Sequence, residues 1–206
     1  VSSRSHALTE GEARLKRGRR ALNHAKYLAS IEGPSAEAEA KAREALATLR
    51  SAMDWLEGTG GFNEAHSELD RAGTFTRETF GCELHLDDDG YSVTCPVPLA
   101  HNRVGMSIGA VVKKSECSIC RSDPADCDHI NGEEYDGEMC HRIITEADLL
   151  EISLVGRPAQ PDARIQKISV SVTELRAKLG PEWRPGMPVS CDRCIGECPG
   201  ITHPFG

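Results

Sequence analysis

The sequence predicts an α+β chain: an N-terminal helical hairpin, then a small, mostly antiparallel β domain, then a Cys-rich tail. Three observations predict it. Apolar residues in the first sixty positions recur in three- and four-residue steps, the signature of packed helices. From about residue 74 the pattern turns to alternation around Asp87-Asp88-Asp89-Gly90, a hairpin signal. Seven of the nine cysteines fall in two late clusters, both with His nearby.

Thr9 and Glu12 have capping-box spacing, so the first helix is expected to start there. Leu8, Leu15 and Leu22 then repeat every seven residues, and Leu28 extends the stripe. Gly33-Pro34-Ser35 breaks the chain, with Ser35 as N-cap of a second helix running to about residue 57. Ala42, Leu46, Leu49, Met53 and Leu56 form a coiled-coil seam on it, and the hairpin ends at Gly58-Thr59-Gly60-Gly61. The basic run Arg14, Lys16, Arg17, Arg19, Arg20 reads as a solvated face with Glu partners on the second helix.

A short helix is expected over 63–72, with Gly73 as its C-cap. Strands are expected over 74–86 and 91–97. In that register Leu86 faces Tyr91 and Cys82 faces Cys95. Two small buried thiols is the preferred reading of that pair, with a disulfide or a shared metal as alternatives. Further strands are expected over 104–112, within 142–155 and over 165–172, and a short helix over 173–179 closed by Gly180-Pro181. Three units follow: 1–60, the helical hairpin; 61–180, the β domain with its loop at 117–140; and 181–206, the tail.

Composition sets bounds. With 206 residues the chain builds one ordinary core with appended elements. The net charge of −8 argues against general nucleic-acid binding. No apolar stretch is long enough to span a bilayer. No secretory signal is seen at the start, so reduced cysteines in the cytoplasm are expected.

The central cluster reads Cys117-Ser118-Ile119-Cys120, Cys127-Asp128-His129 and Cys140-His141. Thiolate and imidazole are the ligands zinc prefers, and a closed tetrahedral site takes four. Five donors compete here (Cys117, Cys120, Cys127, His129 and Cys140) and spacing does not choose among them. The tail repeats the theme with Cys191, Cys194, Cys198 and His203. Two structural zinc ions are therefore expected, one folding a polar loop and one clipping the tail. Small knuckles also bind single-stranded nucleic acid, but only Arg193, Phe205 and His203 are available for it, so a structural clip or docking tail is preferred.

Ser107 in Gly105-Met106-Ser107-Ile108-Gly109 lies between glycines on a predicted strand. As a nucleophile it needs a base, and His66, His85 and His101 precede it. No clear helix follows, as one would in an α/β-hydrolase elbow. On residues alone this is a strand serine with small neighbours.

Residues 66–165 resemble the capsid-maturation (prohead) serine proteases of tailed bacteriophages, whose fold is related to herpesvirus assemblin. The similarity lies in Leu149-Leu150-Glu151-Ile152-Ser153-Leu154-Val155 followed by Pro158-Ala159-Gln160-Pro161-Asp162-Ala163, in the Ser107 strand, and in His66 ahead of Gly73. The resemblance implies Ser107 as nucleophile, His66 as general base and backbone N–H groups as oxyanion hole. The third triad member has no match. Two functions are expected to compete: a serine endopeptidase acting on capsid or scaffold protein, and a catalytically inactive zinc-binding module joining a larger assembly.

Overall fold

A computed structural model describes residues 3–204. Three helices open the chain: α1 (Ser3–Glu32), α2 (Ala36–Trp55) and α3 (Phe62–Phe80). Helix α1 starts upstream of Thr9, which is therefore an interior residue and not a cap. Ser35 does cap α2, its side chain accepting from the Ala38 N–H at 3.3 Å. Helices α1 and α2 form the packed hairpin. Leu15, Leu22 and Leu28 are buried, as are Leu46, Leu49, Met53 and Leu56. Close approach rests on two glycines of α1. A Cβ on Gly11 would lie 2.6 Å from Leu56 Cγ, and one on Gly18 would lie 2.6 Å from Leu49 Cγ.

Helix α3 continues well past Gly73. Its interior glycine lies against Val97 and Cys194, so Gly73 serves packing and not termination. The expected strand over 74–86 shrinks accordingly to β1 (His85–Asp87), which pairs with β2 (Gly90–Val93). Leu86 faces Tyr91 as the turn signal required. Cys82 and Cys95 fall outside this ladder, since Cys95 begins a short helix, α4 (Pro96–His101), started by Pro96 and Pro98.

Strand β3 (Gly105–Cys117) leads into the central loop, which holds the two-residue strands β4 (Glu134–Tyr135) and β5 (Glu138–Met139). Strand β6 (Arg142–Val155) returns antiparallel to β3 as a long two-stranded ribbon. Strand β7 (Ile168–Val170) completes a three-stranded sheet beside β2, and α5 (Val172–Leu179) follows with a full capping box between Ser171 and Glu174. The tail does not depend on metal alone. Trp183 and Val189 pack with Tyr91 and Leu175, and the Tyr91 hydroxyl donates to the Met187 carbonyl at 2.7 Å. No helix among the described residues is long and apolar enough to cross a membrane.

Buried ion pairs tie the helices to the segment after β6. Arg103, 1% exposed, donates to Asp54 at 2.6 Å and to Glu57 at 3.0 Å. Arg164 donates to Glu57 and to the Gly156 carbonyl. Burial pushes the Asp54 carboxyl up against the pull of Arg103. Burial would raise Glu57 too, but Arg103 and Arg164 outweigh it and hold that carboxyl below its ordinary range. Asp162 accepts from Ser51 and from the Trp55 indole, both at 2.7 Å. The basic face of α1 finds its acids elsewhere than expected: Arg19 bonds Glu64 and Glu68 of α3, and Arg14 bonds Glu10 of its own helix.

Candidate metal centres and the Ser107 ribbon

The central loop gathers Cys117, Cys120, Cys127 and His129, with their donor atoms all within 4.8 Å of one another. Cys117 ends β3, and a turn over Ser118–Cys120 brings Cys120 back beside it. The backbone N–H of Cys120 and then of Ile119 point at the Cys117 sulfur and draw its thiol down to about 7. A lowered thiol is ready to bind metal as thiolate. His129 Nδ1 is buried with no hydrogen-bond partner, which leaves that nitrogen to a metal. Cys140 is also buried, its sulfur 3.7 Å from that of Cys117. Zinc–sulfur bonds of ~2.3 Å separate two tetrahedral ligands by about 3.8 Å, so this spacing fits a shared ion. Four of the five donors named by the sequence thus surround one point, Cys140 lies against Cys117, and His141 is exposed beside them.

The second cluster differs from the tail knuckle read from spacing. It comprises His66 and Asp70 from α3, His101 from the end of α4, and Cys198 from the tail. Residues four apart on a helix share a face, which places His66 and Asp70 side by side. His66 Nε2 lies 2.9 Å from His101 Nε2, 3.3 Å from Asp70 Oδ2 and 3.5 Å from Cys198 Sγ. His101 Nε2 lies 3.0 Å from Cys198 Sγ and 3.3 Å from Asp70 Oδ1. His101 Nδ1 donates to the Val97 carbonyl at 2.7 Å. That bond fixes the tautomer and leaves the Nε2 lone pair facing the cluster, the usual outer-shell arrangement of a metal-bound imidazole. The convergence argues against a Cys-His-Asp relay, in which nucleophile and acid engage opposite ring nitrogens; here both meet His66 at Nε2. The residues fit zinc. A cavity of about 440 Å³ opens beside them, lined in part by Asp70, His101, Cys198, Lys26 and Arg193.

Of the expected tail donors only Cys198 enters this cluster. Cys191 pairs through its backbone N–H with the Cys82 carbonyl at 2.7 Å. Cys194 packs beside Gly73 and Val97, where burial pushes its thiol up to about 11. His203 is exposed, and Phe205 lies outside the described residues. Thr202 anchors the tail's end, bonding the His101 carbonyl at 2.7 Å and accepting from the Arg103 N–H at 2.9 Å. Sequence spacing does not single out Asp70 and His101 as metal donors. The four-residue spacing of His66 and Asp70 was their only local signal.

Ser107 lies near the start of β3, opposite Ser153 of β6. The loop after β6 folds back on this segment: Met106 N–H donates to Ala163 at 2.8 Å, and a Cβ on Gly105 would collide with Pro158 and Ala163. The Gly-x-Ser-x-Gly strand and the Pro-Ala-x-Pro closing pattern are therefore packed together. One ribbon face carries Ser107, Ser153, Gly109 and Glu151. The other carries the cross-strand pairs Met106–Leu154, Ile108–Ile152, Ala110–Leu149 and Val112–Ala147. That second face is exposed, Ile108 at 67% and Ile152 at 63%. Among the described residues no histidine is hydrogen-bonded to Ser107; His66 is held in the second metal cluster and His85 lies beside Asp87.

These features belong to one class, a small antiparallel β domain with two metal clusters fitting zinc, carried on a packed helical hairpin. The family model of the Caudovirus prohead serine protease matches residues 70–178, more than half of the chain, and the chain belongs to that family. The match includes Ser107 and the closing pattern and begins four residues after His66. No curated protein and no solved structure matches the chain.

Proposed function

We propose that this chain is a zinc-stapled member of the prohead protease family that serves capsid assembly as a protein-binding module, without hydrolysis by Ser107. The observation that carries this reading is the placement of His66. Its Nε2 converges with His101, Asp70 and Cys198, while Ser107 sits in the ribbon beside Ser153. A serine hydroxyl without a base is a poor nucleophile. The apolar ribbon face supplies the docking surface. A two-stranded ribbon is marginal alone, and an exposed row of apolar pairs marks an interaction site. A capsid or scaffold-like protein is the partner that family membership suggests, and nucleic acid gains nothing from this face. The division into a helical hairpin to residue 60, the β domain to 180 and the tail belongs to this reading, as does a reducing, cytoplasmic setting for the thiolate sites.

A second reading is favoured by the family match itself. In it the chain is a serine endopeptidase with Ser107 as nucleophile and His66 as base, the two brought together when the assembly forms. The readings separate on the intact mass of zinc-loaded chain incubated alone and with a co-expressed capsid or scaffold protein. The module reading expects no fragments in either case. Fragments formed by wild type and absent with Ser107→Ala would establish the endopeptidase.

A further inference from the structure

We infer that Cys82, Cys95, Cys191 and Cys194 form a third zinc site, an all-thiolate one that clamps the tail across the end of α3 and the start of α4. Elimination points to them first. The central cluster takes Cys117, Cys120, Cys127 and Cys140 into one neighbourhood, and Cys198 joins the His66 cluster. These four are the cysteines that remain of nine. All four are free and half-buried.

The backbone then brings them together from three separate stretches of sequence. Residues 82–84 and 189–191 run as a short antiparallel ladder: Cys191 N–H donates to Cys82 at 2.7 Å, Leu84 N–H donates to Val189 at 2.8 Å, and Glu83 bridges Ser190. Cys82 and Cys95 share a cavity of about 470 Å³ with Ser190. Cys95 and Cys194 both pack on the core formed by α3 and α4. Cys191-Asp192-Arg193-Cys194 has knuckle spacing, in which one turn aims both sulfurs at one ion. Four neighbouring thiols are what a divalent cation gathers, because it binds them as thiolates and cancels their repulsion. Arg77, which donates to the Cys191 carbonyl at 3.0 Å, places positive charge beside a site that carries net negative charge when filled.

Two chemistries compete for such a quartet: zinc, and a disulfide within it. A tetrathiolate site is closed and structural. It fixes residues 191–194 so that Cys198, four residues on, reaches the His66 cluster.

The test is native mass spectrometry of the full chain prepared with zinc under reducing conditions. Three zinc ions are expected in wild type. Cys82→Ser and Cys95→Ser should each remove one. The double variant Cys82→Ser/Cys191→Ser should also remove only one, since both serve the same ion. A wild-type count of two that these variants leave unchanged overturns the inference, as does, in a zinc-loaded sample then freed of reductant, a mass lower by one pair of hydrogens that reductant restores, which marks a disulfide. Should the variants fail to fold, alkylation of wild type decides. Zinc should protect the four thiols as a set and a chelator should release them together. Labelling of Cys82 or Cys95 that ignores zinc contradicts the site.

Discussion

His66 and His101 present their Nε2 atoms to each other at 2.9 Å, one from α3 and one from the end of α4. With Asp70 and Cys198 around the same point, His66 reads as a metal ligand rather than as a base awaiting a substrate. His66→Ala is therefore expected to remove one zinc ion and to loosen the tail around Cys198. Conversely, His203→Ala should leave the metal content unchanged. Metal analysis of the purified variants checks both, and a full complement of zinc in His66→Ala would refute the assignment.

The central site should behave as an independent unit. Cys117→Ser is expected to lose one zinc and to unfold the 117–140 loop while leaving the helical core intact, because a loop this polar draws its folding energy from the metal. Acid should have the same effect. Thiolates must be deprotonated to bind, so zinc is released as protons compete for them. Hydrogen exchange of the loop, followed across pH, reads this out.

Gly18 meets Leu49 at the crossing of α1 and α2. Gly18→Ala gains helix propensity of about 1 kcal/mol but forces the helices apart, and overpacking of this kind costs roughly 1–3 kcal/mol. The expected net result is no gain or a loss in urea unfolding, where the same change at an exposed helical glycine would stabilise.

Arg103→Ala leaves Asp54 and Glu57 without their main partner, and removing one member of a buried ion pair costs about 3–5 kcal/mol. The pH response should follow Glu57. Its carboxyl sits below the ordinary range in the folded chain, so it contributes stability that is fully present above the unfolded value of about 4.3 and is lost as pH falls through the lower folded value. Glu57→Gln should be less stable than wild type at neutral pH and should lose less on acidification. Urea midpoints across pH measure it.

The hairpin, the Asp87–Gly90 turn, the closing run of β6 and the central zinc loop are legible in the sequence because each rests on local patterning. The departures came from tertiary contacts. Gly73 reads locally as a stop over the expected helix 63–72, whereas in α3 it makes room for Val97 and Cys194. The expected strand over 91–97 stops early because Pro96 and Pro98 begin a helix, α4. The second metal cluster joins residues 66, 70, 101 and 198, so no local spacing exposes more than its first pair. The tail, rich in Pro and Gly, looked dependent on metal because the Tyr91–Trp183 contact that holds it spans a long stretch of chain.

The most direct test of the central claim is an intact-mass time course of the zinc-loaded chain at high concentration, wild type beside Ser107→Ala. The account predicts one unchanging mass for each. Fragments that accumulate in wild type and are absent from Ser107→Ala would contradict it, and would show that Ser107 finds a base in solution.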